Sequence, residues 1–330
     1  MIVLTKKEMQ AVFTMEEAIQ ADKEALRLFS QGKSTVPLRT NIDVPEHGGQ
    51  SLYMPAYVAG DNQALGVKIV SIYPGNIEKD LPSVPATMVL LNAETGIVEA
   101  LMDGTYLTQL RTGAVQGAAT DILARKDAKI AALIGTGGQA ISQLEAMLTV
   151  RSLDEVRIVD IDKERCEQFV KEMSERFAHF NTTLIAVDNS EEAVKGADII
   201  TSVTTSRRAT FSGEHVKKGA HVNGVGAYTP EMHELPSEII VRADKVIFDT
   251  MEGVLAEAGD IITPLKEGLV ERSHYQGDLG EVMLGKILGR ENEEDITVFK
   301  TVGTAVLDVV TAGKILAKAK ELGVGTQIAL

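Results

Sequence analysis

A glycine-rich hexapeptide is the clearest sign of chemistry in this sequence. It reads Gly135-Thr136-Gly137-Gly138-Gln139-Ala140, follows the apolar run 130–134 and opens a helix-like stretch. This G-x-G-x-x-A pattern is typical of a turn that holds a dinucleotide pyrophosphate, because small residues let backbone N–H groups approach the phosphates at a helix N-terminus. The residues expected to contact a dinucleotide here are Gly135, Gly137, Gly138, Gln139 and Ala140. The alternative is a tight strand-to-helix turn without a ligand.

An acidic residue at the right distance supports the dinucleotide interpretation. Residues 156–159 predict the next strand, and Asp160 ends it twenty residues after Ala140, where a carboxylate meets the ribose hydroxyls. A 2′-phosphate would face the like charges of Asp160 and Asp162, with no arginine in that loop and only Lys163 nearby. The pattern favours NADH and does not exclude NADP. Asp162 either faces the ribose or caps the helix that starts at Lys163.

The hexapeptide lies where predicted strands and helices alternate. The segments are strand 130–134, helix 138–149, strand 156–159, helix 163–177, strand 183–187, helix 190–196 and strand 198–203. Such alternation is typical of a parallel sheet with helices on both faces. Further short strands are expected at 220–223, 245–248 and 296–299. We predict a Rossmann dinucleotide-binding domain over residues 126–303.

Two strand ends in this domain are further candidates for cofactor contacts. Val203 and Thr204 end one predicted strand, and Val225 and Gly226 end the next. Ligands of a doubly wound sheet lie at the carboxyl ends of its strands. These four residues are therefore expected beside the nicotinamide.

The first 125 residues follow a different pattern. Thr14 and Glu17 have capping-box spacing at the start of a predicted helix over 14–31. Alternating residues at 39–44 and 65–70 predict strands, a hairpin is expected between 86 and 102, and a helix over 105–124 closes the segment. We predict an α+β domain over residues 1–125, to which a C-terminal helix within 304–330 returns. The fold class is α/β, a Rossmann domain plus this second domain.

Composition excludes several classes of function. The net charge of −14, with no basic stripe, argues against nucleic-acid binding. No apolar run approaches the length of a membrane span, and the first residues become charged before a signal-peptide core could form. A single cysteine, Cys166, and six scattered histidines predict no disulfide and no metal site. A cytoplasmic location and a small-molecule partner are expected.

Seven short motifs extend this picture over nearly the whole chain. They are Pro37-Leu38-Arg39-Thr40, Tyr53-Met54-Pro55-Ala56-Tyr57, Gly66-Val67-Lys68-Ile69-Val70, Met102-Asp103-Gly104, Leu110-Arg111-Thr112-Gly113-Ala114, the hexapeptide 135–140, and Val298-Phe299-Lys300-Thr301-Val302-Gly303. In these motifs and their order the chain resembles the ornithine cyclodeaminase and mu-crystallin family of NAD(P)-dependent proteins. The resemblance implies that the N-terminal domain binds substrate and forms a homodimer. It also implies one of several activities, because this family includes ornithine cyclodeaminases, alanine dehydrogenases, cyclic ketimine reductases and a hormone-binding crystallin.

The resemblance implies roles for individual residues. Arg39, Lys68 and Arg111 match family positions that contact the substrate carboxylate and the cofactor, and arginine can bind a carboxylate bidentately. Arg39 and Lys68 are expected inside strands, where an inward cation needs an anion, and a carboxylate substrate supplies one. The further residues implied near the cofactor are Ser83, Arg111, Thr112 and Thr301.

Two positions depart from the cyclodeaminase pattern. Those enzymes have an aspartate in a Gly-Asp-x-Pro segment, where this chain reads Gly226-Ala227-Tyr228-Thr229-Pro230, and a glutamate where this chain has Leu52. Both anionic anchors for a diamino acid are therefore missing. Tyr228, with an ordinary pKa of about 10, is expected to act as a donor or weak acid, or else to form a wall of the pocket.

These features favour an NADH-preferring reductase of small cyclic imino acids, with 1-pyrroline-2-carboxylate reduced to proline as the representative reaction. Arg39, Lys68 and Arg111 would hold the carboxylate while the C=N carbon receives a hydride. Ornithine cyclodeaminase is the second hypothesis and alanine dehydrogenase the third. A non-catalytic ligand-binding protein is the alternative from another class, and the presence of both the cations and the cofactor motif disfavours it.

Overall fold

This computed structural model describes residues 1–60 and 63–329 of the chain. The strands of the first half are β1 (Ile2–Leu4), β2 (Ser34–Thr35), β3 (Thr40–Val44), β4 (Gly49–Val58), β5 (Ala64–Ile72), β6 (Ala86–Leu91) and β7 (Val98–Asp103). Those of the second half are β8 (Ile130–Ile134), β9 (Glu155–Val159), β10 (Thr183–Ala186), β11 (Ile199–Ser202), β12 (His221–Gly224), β13 (Lys245–Phe248), β14 (Gly277–Asp278), β15 (Thr297–Lys300) and β16 (Thr326–Gln327).

Eleven α-helices accompany these strands in the described ranges. They are α1 (Lys6–Val12), α2 (Met15–Ser30), α3 (Gly104–Leu123), α4 (Ala140–Val150), α5 (Lys163–Arg176), α6 (Ser190–Val194), α7 (Ser237–Arg242), α8 (Met251–Glu257), α9 (Gly259–Lys266), α10 (Leu279–Met283) and α11 (Ala305–Leu322). Within the same ranges no helix is both long and apolar enough to cross a membrane.

One compact unit consists of residues 1–111 and 304–330. Its sheet has the strand order β16-β1-β7-β6-β5-β4-β2, with β3 also paired to β4, and the β4 to β7 pairings are antiparallel. Helix α11 packs against α2 and against β4 and β5. The capping box at Thr14 and Glu17 starts α2 as its spacing predicts.

The alternating strands of this unit differ in detail from the pattern in the sequence. In β5 the buried face carries Gly66, Lys68 and Val70, whereas the larger apolar residues of the other face, Leu65 among them, are half-buried. Lys68 is tolerated on the buried face because α11 supplies an anion, Asp308. The prediction that Arg39 lies inside a strand is wrong, because it precedes β3 and is half-buried.

The second compact unit consists of residues 112–303. Its sheet has the strand order β10-β9-β8-β11-β12-β15-β13-β14, and every pairing in it is parallel. The apolar faces of its strands are covered by two clusters of buried side chains. The predicted Rossmann class and the second α+β domain are confirmed.

The division between the units falls within a helix. It lies at Arg111 and Thr112 in α3, whereas the expected boundary at residue 125 lies just beyond that helix. A helix of twenty residues offers no linker where a sequence pattern could mark a boundary. The predicted ranges 1–125, 126–303 and 304–330 stay a prediction of domain extent.

Candidate active site

The glycine-rich loop connects β8 to α4 and presents an open backbone. Gly135 has a φ of 100°, in the left-handed region that favours glycine, and a Cβ there would lie 2.9 Å from the carbonyl oxygen of Val203. By contrast, a Cβ built on Gly137 or Gly138 would meet no described atom within 4 Å. Space beside bare backbone at the start of an eleven-residue helix suits a pyrophosphate. The residues of this loop therefore fit the predicted cofactor.

Helix α4 begins slightly later than its pattern suggests. Its first residue is Ala140, preceded by Gln139 at the N-cap, whereas the sequence pattern places the start at residue 138. The side chain of Gln139 makes no capping hydrogen bond, and its Oε1 is buried without a partner among the described residues. A buried polar atom without a partner at this point is consistent with a ligand contact.

Asp160 follows β9 and is tied to the glycine-rich loop. Its Oδ2 accepts hydrogen bonds from the backbone N and the Oγ1 of Thr136, at 2.7 and 2.8 Å. Its Oδ1 accepts from the N of Asp162 at 3.0 Å and from Nη2 of Arg165 at 2.5 Å. Burial opposes ionisation, but these hydrogen bonds outweigh it and lower the pKa of Asp160. The carboxylate is thus an ionised acceptor.

Two expectations for this segment are resolved by the structure. Asp162 is the N-cap of α5, since its Oδ1 accepts a hydrogen bond from the N of Arg165 at 3.1 Å. The loop 160–162 contains no arginine, as predicted, but Arg165, in the first turn of α5, reaches back to Asp160. An interpretation restricted to residues 160–162 misses this arginine. Arg165 is the third residue after the N-cap Asp162, a position from which a long side chain can reach back to the preceding loop.

The two predicted strand ends lie side by side, because β11 and β12 are parallel neighbours. A Cβ on Gly226 would lie 2.1 Å from the carbonyl oxygen of Thr204, so only glycine allows this approach. Val203 and Val225 are buried and Thr204 is half-buried. The structure therefore brings together the four residues that the sequence predicts for the nicotinamide side.

A buried carboxylate that the sequence pattern did not single out holds these strand ends in place. Oε2 of Glu234 accepts a hydrogen bond from the N of Thr204 at 2.8 Å. Its Oε1 accepts from the N of Gly226 at 2.6 Å and from the N of Ala227 at 3.0 Å. One side chain thus fixes both loops, including Ala227. The next residue, Tyr228, is half-buried.

Glu234 is held in turn by a buried lysine and a second acid. Nζ of Lys300 lies 3.4 Å from Oε1 of Glu234 and 2.9 Å from Oδ2 of Asp260, and all three side chains are fully buried. Burial opposes the charge on Lys300, but Asp260 and Glu234 outweigh it and raise the pKa of the lysine. A protonated Lys300 therefore supplies the counter-charge for this cluster.

Substituting Glu234 should affect both stability and dinucleotide binding. Glu234→Gln leaves one oxygen acceptor where the native side chain has two, so N–H groups at one strand end lose their partner. We expect about 1–3 kcal/mol less stability, read as a lower urea midpoint, together with a raised KM for NADH. Asp198→Asn is the matched control, because Asp198 accepts from the N of Lys129 and of Ile130 at the opposite end of the sheet. Asp198→Asn should lose stability while the KM for NADH stays unchanged. An equal change of this KM in both variants would contradict the role of Glu234 in dinucleotide binding.

The hydroxyl of Thr301 takes part in a turn. It follows β15, and its Oγ1 donates to Oδ2 of Asp249 at 2.5 Å, while that oxygen also accepts from the N of Gly303 at 2.9 Å. Burial raises the pKa of Asp249 although these donors oppose the shift. The predicted cofactor contact of Thr301 stays a prediction, as does that of Ser83, which is half-buried and accepts from the N of Tyr73 through its carbonyl oxygen.

The first unit contains a buried cluster of two cations and one anion. Nζ of Lys68 on β5 lies 2.9 and 2.8 Å from the two carboxylate oxygens of Asp308 on α11. Nε of Arg111 donates to Oδ1 of the same carboxylate at 2.9 Å. The side chains of Lys68, Arg111 and Asp308 are 1%, 6% and 0% exposed. Two predicted site residues are thus brought together by Asp308, which the sequence patterns did not single out.

This cluster has a surplus of positive charge. Burial, and then the charge of Arg111, lowers the pKa of Lys68 to about 7, although Asp308 opposes the shift. The charge of Arg39 acts on Lys68 in the same direction, which places that third cation within electrostatic range. A buried excess of positive charge is a site for an anion such as a carboxylate.

A second carboxyl group, that of Asp22, lies close behind this cluster. Oδ1 of Asp22 on α2 accepts from Oγ1 of Thr311, one turn beyond Asp308 on α11, at 2.9 Å. Complete burial raises the pKa of Asp22 well above its ordinary range, and Asp308 raises it further. Burial therefore disfavours a charge on Asp22, which limits how far this carboxyl group offsets the positive charge of Lys68 and Arg111.

The remaining predicted positions can be placed directly. Thr112 follows Arg111 on α3 and is half-buried. Leu52 is buried on β4, where it lies opposite Val70 of β5. An apolar side chain therefore occupies the strand position at which cyclodeaminases have a glutamate.

Comparison with known proteins gives consistent matches over the full chain. The model of the ornithine cyclodeaminase/mu-crystallin family matches residues 1–323. A Delta(1)-pyrroline-2-carboxylate reductase of Bacillus cereus is 38% identical over 99% of both chains. The structure of Thermococcus litoralis Delta(1)-pyrroline-2-carboxylate reductase in complex with NADH and L-proline superposes with a TM-score of 0.94 at 41% identity, covering 99% of this chain and 100% of that one. An archaeal alanine dehydrogenase dimer with bound NAD gives a TM-score of 0.91 at 35% identity, covering 100% and 99% of the two chains.

Proposed function

Since the chain belongs to the ornithine cyclodeaminase/mu-crystallin family, we propose that it is an NADH-dependent reductase of small cyclic imino acids. The representative reaction converts 1-pyrroline-2-carboxylate, NADH and a proton into proline and NAD⁺. The observation that carries the proposal is the buried cationic cluster at Lys68 and Arg111, which suits the carboxylate of such a substrate. The full-length similarity to pyrroline-2-carboxylate reductases supports the same activity.

The second unit supplies the cofactor site. The open backbone at Gly137 and Gly138 and the start of α4 would hold the pyrophosphate, and Asp160 would accept a hydrogen bond from a ribose hydroxyl. When bound, NADH supplies the hydride that reduces the C=N carbon. Glu234 fixes the strand ends that carry Thr204 and Gly226, which would lie beside the nicotinamide.

The first unit supplies the carboxylate site. Lys68 and Arg111 each keep one contact to Asp308 and offer their remaining donors to the substrate. Arg39, whose charge already acts on Lys68, adds a third cation. Asp308 can neutralise only one of the cations Lys68 and Arg111, so a bound substrate carboxylate would neutralise the other. The carboxylate is thereby fixed, which orients the adjacent C=N carbon for reduction.

Proton delivery to the imine nitrogen needs only a weak acid. Ala227 replaces the aspartate of cyclodeaminases, and Tyr228 next to it carries a phenol that can donate a proton, with solvent as the other source. A diamino acid would find no carboxylate at Ala227 or at Leu52. Ornithine cyclisation is accordingly disfavoured. Alanine dehydrogenase is the second candidate, because a relative of that activity is 35% identical over the full chain.

A substrate panel tests the proposal. The purified protein is mixed with NADH and, in separate reactions, 1-pyrroline-2-carboxylate, 1-piperideine-2-carboxylate, or pyruvate with ammonia, and absorbance at the NADH band is followed. A further reaction contains ornithine and NAD⁺, and ammonia is measured as well. We expect rapid oxidation with a cyclic imino acid and slow oxidation with pyruvate. Turnover of pyruvate alone would establish the dehydrogenase, ammonia release from ornithine without net NADH change would establish the cyclodeaminase, and NADH binding without any turnover would favour a binding protein.

The titration of Lys68 predicts a pH dependence of carboxylate binding. Its pKa of about 7 in the free protein means that the cation is present below that pH and lost above it. A bound carboxylate stabilises the cation, so above about pH 7 the inhibition constant should rise up to tenfold per pH unit. Pyrrole-2-carboxylate is a suitable probe, because its nitrogen is not basic. A Lys68→Met variant should give a weak, flat profile, and a flat wild-type profile would contradict the assignment.

We propose a homodimer in the cytoplasm. The archaeal alanine dehydrogenase relative is described as a dimer, and the first unit exposes Leu38 and Ile42, 61% and 50% accessible, which suits a subunit interface. The single cysteine requires no oxidising compartment. Light scattering coupled to gel filtration should give about twice the chain mass of 35.5 kDa.

A further inference from the structure

The buried face of the first unit's sheet differs on the two sides of Lys68. Along β5 the neighbours of Lys68 on this face are Gly66 on one side and Val70 on the other. A Cβ on Gly66 would lie 2.8 Å from Cε of Met88 and 3.1 Å from Cδ2 of Leu90. Side chains of β6 therefore already fill the space over Gly66.

Helix α11 covers the same half of β5. Asp308 contacts Lys68, and five residues later a Cβ on Gly313 would lie 3.7 Å from Cβ of Ala64, the first residue of the strand. The helix thus runs from Lys68 toward the beginning of β5. In the other direction it begins only three residues before Asp308. Less than one turn of α11 therefore extends past Lys68 toward the second half of the strand.

Three apolar side chains form a row across the sheet in that second half. Val70 pairs with Leu52 of β4 and with Ala86 of β6. Leu52 and Val70 are 8% and 6% exposed, and Ala86 is half-buried. Cβ atoms of facing residues on adjacent strands are about 5 Å apart, and the row that contains Lys68 is about 7 Å away on the same face. The row Leu52-Val70-Ala86 is therefore a continuous apolar surface beside the Lys68 side chain.

We propose that this apolar row receives the ring of the cyclic imino acid and selects its size, with Val70 at its centre as the specificity-determining residue. The ring carbon is bonded directly to the carboxylate carbon, so a carboxylate bound at Lys68 brings the ring over the adjacent row, on the side that α11 and Met88 do not fill. Ring methylene groups gain from contact with Leu52 and Val70, whereas a charged ring substituent would lose its hydration there. The inference rests on the proposed reductase activity and assigns its substrates to imino acids with an apolar ring.

Substitutions that change the volume of Val70 in opposite directions test this role. Val70→Ala removes two methyl groups, and Val70→Ile adds one. The measured quantity is kcat/KM for 1-piperideine-2-carboxylate divided by kcat/KM for 1-pyrroline-2-carboxylate. We expect this ratio to rise about tenfold in Val70→Ala and to fall about tenfold in Val70→Ile, because one methylene in a hydrophobic pocket discriminates by about 10- to 200-fold.

Val58 provides the matched control for the loss of two methyl groups. It is fully buried on the same face of β4 and pairs with Ala64 beneath α11, at the far end of the face from Val70. Val58→Ala should lower the urea midpoint, as Val70→Ala does, while the kcat/KM ratio stays within about twofold of wild type. Leu52→Ala, which enlarges the apolar row itself, should raise the ratio.

Binding of the saturated amino acids gives a readout that needs no turnover. Isothermal titration calorimetry with L-proline and L-pipecolate, each in the presence of NADH, should show the ratio of the two affinities shifting in the same directions in Val70→Ala and Val70→Ile. Unchanged ratios in both Val70 variants, or an equal shift in Val58→Ala, would overturn the inference alone. Wild type that reduces neither imine and binds neither amino acid would contradict the proposed function as well.

Discussion

Replacing Lys68 with methionine is expected to lower kcat/KM for the imino acid by about 30- to 5,000-fold, because truncating one partner of a buried, hydrogen-bonded charge group costs about 2–5 kcal/mol. Lys68 is 1% exposed and shares Asp308 with Arg111, so solvent cannot replace it. Methionine has a similar shape and no charge. Steady-state kinetics with NADH and 1-pyrroline-2-carboxylate give the measurement.

The dinucleotide site serves as the internal control for this variant. NADH binding, followed by the fluorescence of the reduced nicotinamide in a chain without tryptophan, should stay within about threefold of wild type, since the glycine-rich loop lies in the second unit. Activity within tenfold of wild type would contradict the carboxylate role. Loss of NADH binding would show that the substitution disturbs more than the cationic cluster.

Replacing Asp308 with alanine should have the largest effect on stability. The change leaves Lys68 and Arg111 buried without their anion, and breaking a buried ion pair in this way costs about 3–5 kcal/mol. Asp308 lies on α11, which packs against α2 and against β4 and β5, so the loss should weaken the first unit. We expect a lower urea midpoint by circular dichroism.

A neighbouring acid gives the matched control for that experiment. Asp22 is also fully buried, and burial raises its pKa, so its carboxyl group resists ionisation. Asp22→Asn keeps the shape of the side chain and should cost less stability than Asp308→Ala, because Lys68 and Arg111 keep their contacts to Asp308. Equal midpoints for Asp308→Ala and wild type would contradict the view that Asp308 holds the two cations in place.

The features that sequence patterns predicted well are those encoded over short stretches. The loop 135–140, the strand before it and Asp160 lie within thirty residues, and each has a local signature in glycine spacing or strand alternation. The capping box at Thr14 and Glu17 is equally local and is confirmed. The Rossmann fold followed from the alternation of strands and helices, because short connections dictate a parallel sheet.

The residues that sequence patterns missed act through partners far away in the chain. Asp308 lies 240 residues after Lys68, and its position in an apolar helix carries no local signal of an ion pair. Glu234 lies 30 residues after Thr204, in a loop whose path only the folded chain reveals. Asp308 could have been suspected from one feature, because it is an acid flanked on both sides by apolar residues of a predicted helix.

The errors have similarly physical causes. Arg39 was expected inside a strand because 39–44 alternates, but the pairing with β4 starts at Thr40. Arg165 was overlooked because the loop was considered without the first turn of the helix that follows it. The individual roles of the cofactor-binding and catalytic residues stay predictions, and the variants described above test them.

Transfer of a label from the cofactor tests the central claim most directly. With NADH carrying deuterium at both C4 positions and 1-pyrroline-2-carboxylate as substrate, mass spectrometry should find one deuterium at Cα of proline for each NADH oxidised. The opposite result would be unlabelled proline formed from ornithine with release of ammonia and no net loss of NADH, while 1-pyrroline-2-carboxylate leaves the NADH intact. That outcome would mean that the cofactor is reduced and reoxidised within each catalytic cycle, and it would contradict the proposed reductase.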